Sequence, residues 1–433
     1  MAGGLLNSCS QLLSRGIHPN QISESYQIAC RKATEIMQLM STLASAIPAL
    51  ARAFLLNRAT RSTSMGASQV VSQNSALLAP LAVDAVMRIS DPENADLNNI
   101  KACNCPTTTY SLTPCFRGTN LSGAKPSKAA GGPTRIVNAK IAILQFQLSP
   151  PKTDIENTVV ISDYQQMDRI LKEERNYIAD LCKKIAKTGC NVILLQKSIL
   201  RDAITDLGLH FLAKLKIMLV RDIERDEIEF ICKTLQCVPI ASPDGLKAEK
   251  LGKADLVEEF STSDGKIIKV TGVMKPCRTV SVLCRGSSKL LLEENERSIH
   301  DAMCVVRSLI KRKFMIPGGA APEMEVSHRL VEWSKTLPGV QSYCVRAFAE
   351  ALEIIPATLA ENAGLNPINI VTELRLKHAQ GQKHAGVNVR KGTISNMLEE
   401  NVVQPLLVST SALELATECV RMILKIDGVV PTL

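Results

Sequence analysis

The stretch from Arg285 to Glu323, RGSSKLLLEENERSIHDAMCVVRSLIKRKFMIPGGAAPE, contains the strongest pattern in the sequence. Acidic residues precede an apolar stripe and basic residues follow it, which suits the dipole of a helix. The stripe recurs at helical spacing and comprises Ile299, Ala302, Met303, Val306 and Ile310. The stretch therefore predicts a long amphipathic helix, then a turn at Gly318-Gly319-Ala320-Ala321, then the start of a second helix.

One acidic residue, Asp301, lies in the middle of this predicted helix. A carboxylate can activate a water molecule, and glycines at the start of a helix can hold a phosphate group. Asp301 with Gly318 and Gly319 is therefore compatible with a nucleotide site. An isolated aspartate is also commonly solvated or ion-paired, and two glycines commonly form a turn, so these residues alone leave both interpretations open.

Composition describes a globular protein of 433 residues, with 45% apolar and 21% charged residues, long enough for two to four domains. Aromatic residues make up 3%, which disfavours base stacking as the main activity. The net charge of +9 does not indicate nucleic-acid binding, because acids and bases are interspersed and the tight run 311–313 suits a helix end.

The cysteines and the first residues of the chain indicate the cellular compartment. The 14 cysteines are scattered without a CxxC pair, and Cys103 and Cys105 have no nearby His or second pair, so we expect reduced thiols in a cytosolic protein and no metal site. No stretch is long enough to span a membrane. The first acidic residue is Glu24, which leaves a transit peptide as an alternative to a simple helix end.

Helical segments flank a central region in which strands and helices alternate, which predicts a multidomain α and α/β fold with one domain inserted in another. Residues 102–128 show neither the helical nor the strand spacing of apolar residues and contain no acidic residue, which predicts an irregular segment. The predicted helices are 5–13, 22–40, 67–90, 162–188, 198–213, 223–236, 289–313, 321–336, 341–361, 367–379 and 410–425. The predicted strands are 140–147, 191–196, 215–220, 237–241, 266–272 and 279–286.

Several strings carry a specific resemblance to a known family. They are RSIHDAMCVVR (297–307), the glycines 318–319 with Pro322-Glu323, TLAENAGLNP (358–367) and NVRKGTISNMLEENVVQPLLV (388–408). With them the chain resembles the cytosolic group II chaperonins of the T-complex protein 1 family, and the strings after residue 360 point to the delta-type subunits. The resemblance covers residues 5–40, 52–100 and 129–433.

The resemblance implies a chaperonin-like fold with three domains. Residues 1–51 and 315–433 would form an ATP-binding equatorial domain, 52–100 and 287–314 an intermediate domain, and 101–286 a client-binding apical domain. It also implies a cytoplasmic subunit of a double-ring hetero-oligomer that uses ATP with Mg²⁺ to assist the folding of unfolded clients of the actin and tubulin type, with no nucleic-acid or membrane partner.

The resemblance also assigns site residues. Asp301 matches the catalytic aspartate that orients the attacking water, Gly318 and Gly319 match the turn beside the nucleotide, and Asn362, Ala363 and Gly364 match the segment beside the adenosine. Ala320 stands where the family has a third glycine, and its methyl group would crowd a close approach. A client-binding face on the predicted helix 198–214 would present Ile204, Leu207, His210, Phe211 and Lys214. Packing of His210 and Phe211 against the sheet is an equal alternative. Residues 149–175 resemble the family's helical protrusion.

Two departures from the family pattern limit these expectations. The resemblance begins inside the equatorial domain, so the glycine-lysine phosphate loop and the turn that binds Mg²⁺ are expected to be missing. The chain alone is then expected to bind ATP weakly and not to hydrolyse it. Residues 102–128 do not follow the family, as if frame-shifted or mis-spliced, so the first apical strands are expected to be absent.

Three functions from different classes therefore remain open. The first is an ATP-dependent chaperonin subunit. The second is a truncated, ATPase-deficient family member that binds clients or interferes with assembly. The third is an unrelated α/β enzyme that uses Asp301 and the glycine turn.

Overall fold

The computed structural model describes residues 1–43, 75–89, 96–106, 116–117, 120–121, 125–126, 132–150, 161, 163–198, 203–262, 265–273, 279–286, 288–428 and 430. The chain divides into two compact units. The first comprises Met1–Val83, Pro92–Asn94 and Ser298–Leu433, and the second comprises Asp84–Asp91 and Ala95–Arg297. The second unit is thus inserted in the sequence of the first, which confirms the predicted insertion. The finer division into three domains stays a prediction.

The helices of the described residues are labelled in chain order. They are α1 (Ala2–Ser14), α2 (Pro19–Met40), α3 (Ser75–Ile89), α4 (Tyr164–Lys187), α5 (Asp206–Lys214), α6 (Arg225–Leu235), α7 (Lys289–Lys311), α8 (Ala321–Ser334), α9 (Val340–Leu352), α10 (Ile354–Asn362), α11 (Pro367–Ala379) and α12 (Leu406–Ile423).

The strands are labelled in the same way. They are β1 (Thr42–Leu43), β2 (Ile100–Pro106), β3 (Phe116–Arg117), β4 (Asn120–Leu121), β5 (Lys125–Pro126), β6 (Arg135–Leu144), β7 (Val192–Gln196), β8 (Met218–Ile223), β9 (Gly252–Thr262), β10 (Gly265–Val273), β11 (Val280–Gly286), β12 (Phe314–Pro317), β13 (Ala385–Asn388), β14 (Thr393–Asn396) and β15 (Val403–Pro405).

The first unit is a helical assembly around one large core. Helices α1, α2, α8, α9 and α12 contribute its buried side chains, among which Tyr26 and Phe348 meet edge to face with ring centroids 5.2 Å apart. Edge-to-face packing lets two large rings fill the space between α2 and α9. A smaller cluster, which includes Met324, Leu374 and Val387, joins α8, α10 and α11 to the hairpin β13–β14. This smaller core supports the candidate site.

Local sequence explains where several helices begin. Asn366 precedes α11, its side-chain oxygen accepts hydrogen bonds from the backbone N–H groups of Ile368 and Asn369, and Pro367 occupies the first turn. Asp163 caps α4 by accepting from the N–H of Gln165. Such caps satisfy N–H groups that a helix cannot satisfy internally.

The second unit is built on a seven-stranded mixed sheet in the order β4-β10-β9-β6-β7-β8-β5. Strands β6, β7 and β8 pair in parallel, and β9 and β10 continue the sheet antiparallel. Alternate residues of β6 enter two different cores, since Ile141 packs with α6 on one face and Ala142 packs with α4 and α5 on the other. Helices on both faces explain why these strands read as continuous apolar runs.

The α/β prediction for this unit is confirmed, with local corrections. The strand predicted at 237–241 is wrong, because Ile240 forms only an isolated bridge with Leu144. The eleven-residue strand β9 was not predicted, since acids and lysine interrupt its apolar residues. The helix predicted from 198 begins at Asp206 instead, and residues 199–202 lie outside the described part.

The segment 102–128 also differs from expectation. Residues Ile100–Pro106 form β2, which pairs in parallel with β11, and β3 pairs with β11 on its other side. The prediction of an irregular segment without the first strands is therefore wrong for these residues. Asn120–Leu121 and Lys125–Pro126 form the short strands β4 and β5, which pair with β10 and β8, and the remaining residues of the segment lie outside the described part.

The remaining helix predictions are confirmed with shifted ends, except that 341–361 is two helices. Helices α9 and α10 meet at Glu353, and Pro356 lies in the first turn of α10, where proline is tolerated. The positions 67–74 and 90 of the third predicted helix lie outside the described residues. Within the described part, no helix combines the length and apolar character needed to cross a bilayer.

Candidate functional site: a cavity beside the glycine turn

The glycine turn connects β12 to α8 through Gly318, Gly319 and Ala320. Gly319 and Ala320 both have positive φ, +66° and +61°, so the chain passes through the left-handed region before the helix begins. Glycine adopts this region freely, whereas alanine does so at a cost of about 1–2 kcal/mol. The strained residue is thus Ala320, the position where the sequence predicted that a methyl group would matter.

The turn lies directly against the hairpin β13–β14. The N–H of Val387 donates to the carbonyl oxygen of Gly319 at 2.9 Å, and the N–H of Gly318 donates to the carbonyl of Val402 at 2.9 Å. A Cβ atom placed on Gly386 would lie 2.9 Å from the Gly319 oxygen, and one on Gly319 would lie 2.6 Å from the sulfur of Met397. These glycines are therefore required by the close approach of two backbones.

A cavity of about 500 Å³ opens beside this turn, within the range of ordinary small-molecule sites. Its wall contains Gly319 from the turn and Asn362 from the end of α10, which the sequence assigned to one site. Its other lining residues are Met1, Gly3, Gly4, Ala320, Glu323, Ile354, Ile355, Thr358, Leu359 and Gln404. The cavity thus combines a backbone wall, an apolar wall from α10 and side-chain amides.

The other predicted binding residues flank this lining in the chain. Gly318 precedes Gly319, while Ala363 and Gly364 follow Asn362 at the end of α10. Gly364 has a φ of +72°, and its N–H donates to the carbonyl of Glu361 at 2.9 Å. Gly364 therefore serves to end α10, which places Asn362 at the cavity edge.

Glu323 lines the cavity, and the sequence alone did not predict a role for it. Its side chain lies in the first turn of α8, the residue is 6% exposed, and its Oε2 atom has no hydrogen-bond partner among the described residues. Burial raises the pKa of this carboxyl group, against a smaller opposing effect of its own backbone N–H. The cavity is therefore bordered by an acid that burial biases toward its neutral form.

Glu325 and His378 form a buried hydrogen-bonded pair behind the turn. The Nδ1 atom of His378 lies 2.7 Å from Oε2 of Glu325, and Nε2 lies 3.0 Å from the carbonyl oxygen of Ala385 in β13. Arg329 donates to the same carboxylate at 2.8 Å. Burial raises the pKa of Glu325, but the bonds from His378 and Arg329 outweigh it and hold that pKa below its ordinary value. No local pattern could reveal a pair 53 residues apart.

Asp301 lies on the 23-residue helix α7 and its side chain is exposed. It is not part of the cavity lining. Its catalytic role stays a prediction, since exposure leaves the carboxylate free to be solvated or to meet a ligand.

The predicted client-binding face lies on α5 and the residues before it. His210 and Lys214 are exposed, and Leu207 and Phe211 are half-buried against the core beneath the sheet. Ile204 precedes the helix, is 6% exposed and bridges Leu148, so it belongs to the core. Packing thus accounts for Ile204 and in part for Phe211. Of the resemblance to a helical protrusion at 149–175, residues 151–160 and 162 lie outside the described part.

Comparison with known proteins bears directly on this arrangement. The sequence model of the TCP-1/cpn60 chaperonin family matches residues 1–432. The T-complex protein 1 subunit delta of Arabidopsis thaliana is 61% identical over 433 residues, which are 99% of this chain and 80% of that protein. The subunit delta of Homo sapiens is 56% identical over 436 aligned residues, covering 100% of this chain and 79% of that one.

A solved structure is similar over almost the same length. The open-state monomer of a group II chaperonin from Methanococcoides burtonii superimposes with a TM-score of 0.70 at 30% sequence identity. The match covers 98% of this chain and 97% of that one.

Proposed function

Since the chain belongs to the TCP-1/cpn60 chaperonin family, we propose that it is a chaperonin subunit that binds ATP in the cavity beside the glycine turn. The observation that carries this proposal is the meeting of Gly319 and Asn362 in one cavity wall. These residues are 43 positions apart in the numbering, and the family resemblance assigns both to the nucleotide. Family membership also removes the unrelated α/β enzyme as an alternative.

The chemistry of the cavity wall fits a nucleotide. Ile354, Ile355 and Leu359 offer an apolar surface for a base, while the amides of Asn362 and Gln404 offer donors and acceptors for sugar or base edges. Gly319 brings backbone close to the cavity without a side chain. The neutral form of Glu323, favoured by burial, would avoid repulsion with a phosphate.

Metal ligands for the nucleotide are a separate question. ATP normally binds with Mg²⁺, which prefers carboxylate, phosphate and water oxygens. The described residues contain no group of three or more His, Cys, Asp or Glu side chains that could hold a metal ion. We therefore assign no Mg²⁺ ligand and derive no step through the metal.

Asp301 is the proposed catalytic residue for hydrolysis. A carboxylate that accepts a proton from, or orients, the attacking water typically contributes about 10²–10⁴ in rate. The exposed position of Asp301 on the long helix α7 leaves it available for this role. Its assignment rests on the family resemblance of the string around it.

The wider role follows from the relatives. We propose that the chain assembles with other chaperonin subunits in a double ring in the cytosol and assists the folding of unfolded client proteins. The exposed side chains of His210 and Lys214, with Leu207 and Phe211, are the proposed client contacts on α5. Clients of the actin and tubulin type are the expectation from the resemblance. No comparison supports the alternative of a truncated, assembly-interfering module.

A pair of glycine substitutions tests the nucleotide proposal. Gly319→Ala would add a methyl group 2.6 Å from the Met397 sulfur and 3.1 Å from the Val387 carbonyl oxygen, at a φ of +66°. Gly339→Ala is the control, because Gly339 also has a positive φ, +63°, while its Cβ would meet nothing within 4 Å. The control separates general strain from distortion of the cavity wall.

ATP affinity is measured by calorimetry on the full chain, alone and assembled with partner subunits. We expect Gly319→Ala to weaken binding by about tenfold or more and Gly339→Ala to leave it within about twofold. Equal affinities for the two variants, or a nucleotide that crosslinks outside the cavity lining, would contradict the proposal.

A further inference from the structure

The ring of His378 is enclosed among charged and polar groups from two other elements. Its side chain is fully buried on α11, with Nδ1 facing the Glu325 carboxylate of α8 and Nε2 facing the Ala385 carbonyl of β13. Arg329 of α8 shares the carboxylate, and on α11 itself Lys377 donates to the carbonyl of Ile394 in β14. The sequence neighbour Lys377 also pairs with Glu373 on α11, so the charged group in contact with the ring is Glu325.

Both ring nitrogens of His378 have a hydrogen-bond partner. A carbonyl oxygen can only accept, so Nε2 donates to Ala385, while Nδ1 pairs with the carboxylate of Glu325. The bonds from His378 and Arg329 hold Glu325 in its ionised form. The two contacts together therefore link α11 to an anion on α8 and to the backbone of β13 through one buried ring.

The strand that His378 holds is the one that contacts the glycine turn. Two residues beyond Ala385, the N–H of Val387 donates to the Gly319 oxygen at 2.9 Å. Between them, Gly386 approaches so closely that a Cβ there would lie 2.9 Å from the same oxygen. A shift of β13 by a few tenths of an ångström must therefore move the cavity wall at Gly319.

We propose that His378 is a positioning residue of the nucleotide site, which through its two hydrogen bonds fixes β13 to α8 and so holds Gly319 in place. This inference rests on the proposed nucleotide function. A histidine that served stability alone could be replaced by an apolar residue of similar volume, which commonly stabilises a protein as well as a buried ion pair does. A positioning role is favoured because His378 is hydrogen-bonded to β13, the strand whose Val387 N–H donates to the oxygen of Gly319.

Two amide substitutions divide the contacts of the ring. In His378→Asn the amide nitrogen lies near the position of Nδ1 and retains the bond to Glu325, whereas in His378→Gln it lies near Nε2 and retains the bond to Ala385. Each variant thus keeps one link and loses the other. His328→Gln is the matched control, because His328 lies on α8 with a carboxylate, Glu332, at 3.5 Å, but on the partly exposed side.

Steady-state ATP hydrolysis by the assembled chaperonin gives the decisive readout. We expect KM for ATP to rise about tenfold in both His378 variants with kcat within about twofold, and His328→Gln to match the parent. A fall in kcat at unchanged KM, or KM unchanged in both His378 variants, would overturn the proposal. Because a general loss of folding removes active subunits, it lowers the apparent kcat and leaves KM unchanged.

A second measurement needs no variant. Hydrogen exchange of peptides spanning 385–396 is followed in the parent protein with and without ATP, and nucleotide is expected to slow it at least about threefold. Unchanged exchange in the presence of bound nucleotide would overturn the positioning role even if the His378 variants fail to assemble. Absence of any ATP binding by the parent would instead refute the proposed function, so the two failures are distinguishable.

Discussion

The buried acid Glu323 allows a prediction about how stability depends on pH. The substitution Glu323→Gln keeps the size of the side chain and removes its ability to ionise. In the folded chain the residue is 6% exposed, its Oε2 atom has no partner among the described residues, and burial raises the pKa of the carboxyl group from the ordinary 4.5. In the unfolded chain the group is hydrated and ionises normally.

The sign follows from proton linkage. Between pH 4.5 and the raised pKa, the folded state holds a proton that the unfolded state has lost, so the free energy of unfolding falls as pH rises through that window. Above the raised pKa the penalty is fully present. Each unit by which the pKa is raised adds about 1.4 kcal/mol to the penalty, so we expect the free energy of unfolding of Glu323→Gln to exceed that of the parent at pH 8 and to differ little from it at pH 4.

The chain offers a convenient probe. Trp333, its single tryptophan, lies on α8 with Glu323 and packs against the core of the first unit, so its fluorescence reports unfolding there. Urea unfolding is measured from pH 4 to pH 8 for the parent, Glu323→Gln and the exposed control Glu361→Gln. The reasoning is refuted if Glu323→Gln keeps the pH slope of the parent, or if the control loses it.

Three further substitutions follow from the same structure. Asp301→Ala is expected to lower the ATP turnover of the assembled chaperonin by about 10²-fold or more while ATP affinity is retained. The control Glu293→Ala, on the same helix, is expected to leave both quantities unchanged. Turnover assays and calorimetry measure them, and undiminished turnover in Asp301→Ala would contradict the prediction. Asn366→Ala removes the cap of α11 and is expected to cost about 1 kcal/mol in urea unfolding, whereas Asn366→Asp, which can still cap, should cost little. Phe348→Ala leaves a cavity beside Tyr26 and is expected to cost about 3–5 kcal/mol by Trp333 fluorescence; a loss below 1 kcal/mol would show that the core repacks.

The sequence predicts elements well where one period dominates. Helix α7 and the buried strands β6 to β8 follow directly from apolar spacing, and their positions agree with the structure within a few residues. Strand β9 could not be predicted, because its sequence GKADLVEEFST mixes charged with apolar residues. It is a strand because it pairs with β6 and β10. Tertiary pairing of this kind has no signal in a short window of sequence.

The site divides in the same way. Glycines 318 and 319 and Asn362 are identified because they belong to contiguous strings with a recognisable pattern. Glu325 and His378, 53 positions apart, look like an ordinary helix acid and an ordinary histidine until the fold joins them. Glu323 follows Pro322 in a string that resembles the family, but only its burial distinguishes it from a solvated acid in the first turn of a helix. The sequence therefore does not show which polar groups become buried, away from water, when the chain folds.

The strain at Ala320 has a physical reason in the contacts around it. An alanine in the left-handed region persists only when its surroundings determine the backbone. Here the N–H of Gly318 is bound to Val402, the oxygen of Gly319 is bound to Val387, and the carbonyl of Ala320 accepts from Met324 in the first turn of α8. Each residue of the turn is thus fixed by a different element. A turn held in this way is preorganised, so a ligand in the adjoining cavity need not spend binding energy on ordering it.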